Sequence, residues 1–385
     1  MNHAITTKKQ RDIGPEWLRI FAMILIILSH VAIHSNFVFD SICFNSVYLS
    51  VLSMGGKIGV NIFILISGYY SVKSHPTVDK AIRLMAQTVF YCVVLYFVSC
   101  AVGASDFRLK YIIYALTPFI SNKGYWFITI YMLLYILTPF INGGLQQLTK
   151  KQHLCMIVLF MLVWAVLPRT YGAFFSEQSY GISELGWFVL AYSVGAYLRL
   201  YPIKLYNHRV AAFLLWTGTA VVMVSAKIIQ QLGISVQGRT GIIINAVLNF
   251  ITDSSLYGPV AFVFAILSMI VFQQLKLKPR KVVYMVSAST FGIYLIHDSE
   301  WLRNHIWNDL YKMSRFTDSS FLIIAVLIVM LITFIVCSIV DIMRKQFIEI
   351  PIFNSAVYQK TKKKCKKLSK AINNRLLSDD DLIGM

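Results

Sequence analysis

The sequence predicts an all-α fold: a polytopic membrane helical bundle of about ten transmembrane helices, N-in and C-in. Three observations predict it. Of the 385 residues, 57% are hydrophobic and 14% charged, where a soluble chain carries about 25% charged residues. The mean hydropathy is +0.65. The apolar residues fall in long continuous runs rather than short alternations. Lipid offers no water to an unpaired backbone group, so such runs must close their own hydrogen bonds as helices.

The spans fall at roughly 17–36, 47–70, 84–104, 125–141, 154–169, 184–200, 210–232, 257–273, 284–300 and 320–341. Lys8, Lys9 and Arg11 precede the first run. That run is too long for a signal-peptide core and no small-residue cleavage site follows, so it reads as an uncleaved first span. Segment 106–124 is interrupted by Pro118, and 241–251 is similarly short; both are expected as outer, non-spanning pieces. Most of the 36 Lys and Arg residues then lie in cytoplasmic loops and the tail, which sets the orientation. The chain divides into a cytoplasmic N-terminal segment (1–16), a membrane domain (17–341) and a basic cytoplasmic tail (342–385).

The net charge of +19 would suggest nucleic acid on a soluble protein. Here it fits cytoplasmic loops and the run KTKKKCKKLSK at 360–370 meeting anionic membrane lipids, and no nucleic-acid partner is expected. The six cysteines form no CxxC pair and lie mostly in apolar runs, so neither a disulfide frame nor a metal site is expected.

Chemistry concentrates in the first span. Arg19 and His30 are eleven positions apart, so they share one helix face about 16 Å apart along the axis. Ionisable groups inside a membrane helix are costly and mark function by default. In this orientation Arg19 lies near the cytoplasmic mouth and His30 at or past mid-membrane. Lys57 and Asn61, one turn apart in the second span, come to the level of His30. So does His297, near the end of the ninth span. Asp298 or Glu184 could partner that histidine, though adjacent side chains on a helix diverge, which argues against a direct His297–Asp298 pair. Trp126, at the outer end of the fourth span, would supply an aromatic wall. Arg83, beside Lys73, His75 and Lys80, joins Arg19 as a candidate phosphate clamp. Ser67 and Gly68 read as helix-packing residues. No HExxH, Gly-rich phosphate loop, GxSxG or redox motif is present.

Several of these residues resemble one family. Arg19 and His30 reproduce the R-x10-H motif of the first span in acyltransferase-3 membrane proteins, and KIGVNIFILISGYY (57–70) is similar to that family's G-V-x-x-F-F-x-x-S-G signature, with Ile64 replacing the second Phe. YWF (125–127) with IYMLLYILTPF, and FGIYLIH (291–297), resemble the surface-polysaccharide O-acyltransferase branch, although Tyr125 stands where many relatives carry Leu after a His. The resemblance implies a membrane enzyme of the cell envelope with no permanently bound cofactor. It would move an acyl group, commonly acetyl, from cytoplasmic acyl-CoA to a hydroxyl of a cell-surface or lipid-linked glycan. His30, Lys57 and His297 would be catalytic, with His30 the general base or acyl relay. Arg19 and Arg83 would hold the phosphates of acetyl-CoA or another acyl-CoA, and Asn61, Trp126 and Glu184 the acceptor. Polar groups at mid-membrane also suit a transporter or flippase for a small solute or lipid-linked sugar, and a membrane sensor or scaffold is the third class.

Overall fold

A computed structural model describes residues 12–364, except 75, 122–123, 169, 172–182, 234–237 and 254. Lys8, Lys9, Arg11, His75 and the chain from 365 onward lie outside the described residues, so neither terminal segment is fully covered. Among the described residues the chain is helical, with no strand.

The helices are α1 (Ile13–His34), α2 (Phe44–Ser53), α3 (Gly55–Ser71), α4 (Val78–Ala101), α5 (Leu109–Leu116), α6 (Trp126–Gln147) and α7 (Lys150–Met161). Then follow α8 (Glu184–Leu200), α9 (Arg209–Gln231), α10 (Gly238–Thr252), α11 (Pro259–Gln273), α12 (Lys281–His297), α13 (Leu322–Arg344) and α14 (Ile350–Asn354). Among the described residues, six stretches are long and apolar enough to cross a membrane: Ile13–His34, Phe44–Ser71, Val78–Ala101, Trp126–Gln147, Arg209–Gln231 and Leu322–Asn354. α8, α11 and α12 are shorter, at 17, 15 and 17 residues, and are largely buried. The described part of the interrupted segment around Pro118 contains α5, packed on α4.

α1 and α3 form the centre. α1 packs on α3, α11, α12 and α13; α3 packs on α1, α8 and α11. The buried core gathers Leu18, Ile27, Ile62, Ile64, Trp187 and Phe262 from these helices. Outer helices show the reverse pattern. Phe213, Leu214 and Val221 on α9, and Leu327, Leu331 and Ile335 on α13, are exposed, as a lipid-facing surface requires.

With lipid outside, packing rather than hydrophobic burial decides which helices associate, and small residues let backbones approach. The α3–α8 crossing shows this most sharply. A Cβ built on Gly68 would lie 2.0 Å from the Tyr192 carbonyl oxygen, and one on Gly195 would lie 2.2 Å from that of Leu65. The two helices touch backbone to backbone. The crossing is fastened by Asn61, which donates to the Leu256 carbonyl at 3.1 Å and accepts from Trp187 Nε1 at 2.8 Å.

Candidate active site

A cavity of about 790 Å³ runs along α1, from Glu16 and Arg19 at one end to His30, His34 and Arg303 at the other. α3 contributes Lys57 and Ser67, α6 contributes Trp126 and Tyr131, and α12 contributes Ser287 and Tyr294. Helical spacing explains why α1 serves both ends: positions 16, 19, 23, 26, 30, 33 and 34 recur at three or four residues and form one continuous stripe. The Arg19–His30 face expected from spacing is therefore one wall of one cavity.

His30 is the centre of the far end. Its Nδ1 lies 3.0 Å from His297 Nε2. His297 Nδ1 lies 2.6 Å from the Ile293 carbonyl oxygen, one helical turn back. A carbonyl can only accept, so with both rings neutral the proton of His297 sits on Nδ1 and its Nε2 carries a lone pair. His30 must then donate from Nδ1. Its Nε2 is left with a lone pair, an assignment made from the hydrogen-bond network. His297 is 0% exposed and stands behind His30 rather than in the cavity wall.

Asp298 is the C-cap of α12, with non-helical backbone (φ −104°, ψ 18°). Its Oδ1 lies 3.7 Å from His30 Nδ1 and 3.2 Å from Arg303 Nη1. Of the two carboxylates considered for this level, Asp298 is the one beside the histidines, and it faces His30. Glu184 begins α8 next to its cap Ser183, is exposed, and does not line the cavity.

Lys57 Nζ sits 4.0 Å from the centroid of the Trp126 ring and makes no ion pair among the described residues. Both line the cavity, so the aromatic wall holds a cation at the His30 level. Asn61 does not line it: this side chain is 0% exposed and spent on the fastening of α3. Ser67, read as a packing residue, lines the cavity and lies 3.1 Å from Tyr131 Oη; its neighbour Gly68 does pack.

At the near end Arg19 donates to Glu16 Oε2 at 2.7 Å, and Ser287 donates to the same oxygen. The Arg19 Cζ lies 5.9 Å from the Tyr70 ring centroid. Arg83 is not at this mouth. It is held by Asp79 at 3.2 Å and Glu349 at 3.7 Å, and stacks on Phe353 at 4.0 Å. Those partners tie α4 to the segment after α13.

Two wall residues were not singled out from sequence. His34, one turn beyond His30 with ring centroids 5.1 Å apart, was legible as an i, i+4 pair. Arg303 lies in a connection where no periodicity points to it. His30, His34 and Asp298 also bring one ligand atom each within 4.8 Å of one another, a set that could hold a metal ion.

A helical bundle with six apolar stretches of membrane-crossing length among its described residues, and an elongated cavity running between its helices, defines an integral membrane protein. A family model described as an acyltransferase domain matches residues 12–342, and the chain belongs to this family, the acyltransferase-3 membrane acyltransferases. No curated protein and no solved structure gave a match.

Proposed function

We propose that the protein is a cell-membrane O-acyltransferase that moves an acetyl group from cytoplasmic acyl-CoA to a hydroxyl of a cell-surface or lipid-linked glycan. The observation that carries this reading is the hydrogen-bond chain from Ile293 through His297 to His30. It leaves a basic nitrogen exposed in a cavity whose opposite end offers Arg19.

His30 Nε2 takes the proton of the acceptor hydroxyl as its oxygen attacks the thioester carbonyl. The carbon–sulfur bond then breaks, and the thiolate leaves with the proton that His30 returns. The Asp298 carboxylate, 3.7 Å from His30 Nδ1, steadies the transient imidazolium, which favours a base over a covalent acyl-histidine. Lys57 is the nearby cation for the oxyanion, and Trp126 a face for a sugar ring. Ser67 and Tyr131 add hydroxyls to the passage between the ends.

The test is NMR of envelope glycan before and after mild alkali. Cells lacking the protein are expected to lose a base-labile acetyl signal while the amount of glycan is unchanged. Altered glycan export with unchanged ester content would point instead to a transporter.

His297 acts through His30. His297→Phe removes the acceptor that fixes the His30 tautomer, and about a 10²-fold fall in kcat with little change in acceptor KM is expected. His297→Gln, which can still accept, should recover part of it. A rise in KM at unchanged kcat would make His297 a shaping residue only.

A further inference from the structure

A second cavity, of about 350 Å³, adjoins the Arg19 end of the first and shares Tyr70 with it. Its wall is drawn from five separate places in the chain. Asp12 comes from the start of α1, Tyr69 and Tyr70 from the end of α3, Arg199 from the end of α8, Tyr206 from the turn before α9, and Gln273 from the end of α11.

Its polar groups are poorly used by the fold. Tyr206 Oη and Gln273 Nε2 are buried donors with no hydrogen-bond partner among the described residues. Such orphans are expensive and call for an explanation. Arg199 lies beside Tyr69, with Cζ 5.0 Å from the ring centroid and Nη1 donating to the Tyr69 hydroxyl at 3.3 Å, and its charge makes no ion pair among the described residues. Asp12 occupies the cap position of α1, yet its side chain makes no capping hydrogen bond. The turn itself is fixed: Gln274 Nε2 donates to the Leu205 and Tyr206 carbonyls at 2.8 and 3.1 Å. The donors are thus held in place before any ligand arrives.

We infer that this cavity binds the adenine-nucleotide end of the acyl-CoA donor. The inference rests on the acyl-CoA reading above and adds a place for the half of the molecule that does not react. Tyrosine rings offer a stacking face for adenine. Arg199 pairs with phosphate, Tyr206 and Gln273 donate to phosphate or ring acceptors, and Asp12 accepts from an exocyclic amine or ribose hydroxyl. A bare phosphate would need neither three tyrosines nor a carboxylate close by; a nucleotide uses both. From here the donor passes Tyr70 and Arg19 into the first cavity, and α1 rises about 22 Å from Pro15 to His30. The nucleotide stays at the mouth while the thioester is delivered to the far end.

The experiment uses the full-length protein in nanodiscs, with 3′,5′-ADP as probe in calorimetry. Arg199→Ala should weaken its binding 10- to 100-fold and Tyr206→Phe about 3- to 10-fold, while Tyr206→Phe, which removes only an unpaired hydroxyl, keeps or raises Tm. In transfer assays the same variants should erase the KM advantage of acetyl-CoA over acetyl-pantetheine. Acetyl-CoA used by the wild type, with its KM unmoved in both variants, overturns the nucleotide site and leaves the donor reading standing. A wild type inert toward acetyl-CoA overturns both. Displacement of 3′,5′-ADP by inorganic phosphate at equal affinity, or by phosphatidylglycerol in the nanodisc, reduces the cavity to a general anion or headgroup site and overturns the proposal.

Discussion

His30→Gln is expected to lower acyl transfer about 10²- to 10⁴-fold at equal protein level, the usual range for losing a positioned general base. Glutamine keeps a donor for His297 Nε2 and roughly the same volume, so the buried contact at 3.0 Å can be rebuilt while the basic nitrogen is lost. The effect should therefore fall on kcat rather than on donor or acceptor KM. Transfer of radiolabelled acetyl to isolated envelope glycan is the measurement. Wild-type turnover by the variant would remove His30 from the chemistry and with it the proposed mechanism.

The second large effect is structural. Gly195→Ala should cost several kcal/mol, toward and beyond the upper end of the ~1–3 kcal/mol typical of overpacking, because the new carbon meets the Leu65 carbonyl at 2.2 Å. No rotamer relieves a clash with backbone, so α3 and α8 must separate. Gly68→Ala forces the same separation against Tyr192. The two costs should not add: once either has spread the crossing, the second carbon finds room, and the double variant is expected well above the sum of the singles in thermal stability. Melting in detergent of the three variants measures this. Strict additivity would mean that the two contacts yield independently.

The sequence made the first wall of the cavity legible because helical periodicity is rigid. Once 17–36 was a helix, Arg19 and His30 had to share a stripe, and α1 over Ile13–His34 presents it. Hydrophobic runs likewise located most of the long helices, while the run at 47–70 is two helices, α2 and α3, and the short run at 241–251 lies in α10. Arg83 was harder. Positive charge in a loop looks the same whether it is free or spent, and its second carboxylate, Glu349, is distant in sequence. Only the nearer partner, Asp79, lies at a telling i, i+4 spacing. Asn61 shared a face with Lys57, but α3 is covered on several sides, so a turn of helix separates a cavity wall from a sealed core position. The place of the Asp298 carboxylate beside His30 was beyond sequence reasoning because α12 stops at His297, and past its end no helical angle says where a side chain goes.

The backbone contact between α3 and α8 also means that stiffness is unevenly distributed around the cavity. α3, which carries Lys57, is held against α8 by this contact at its other end. Across from it stands α6, which carries Trp126 and Tyr131 and has Pro139 in its interior. Proline breaks the hydrogen-bond ladder there, so this helix bends at lower cost than its neighbours. The wall that carries Lys57 lies on the closely packed side, and the wall that carries Trp126 and Tyr131 lies on the more compliant helix.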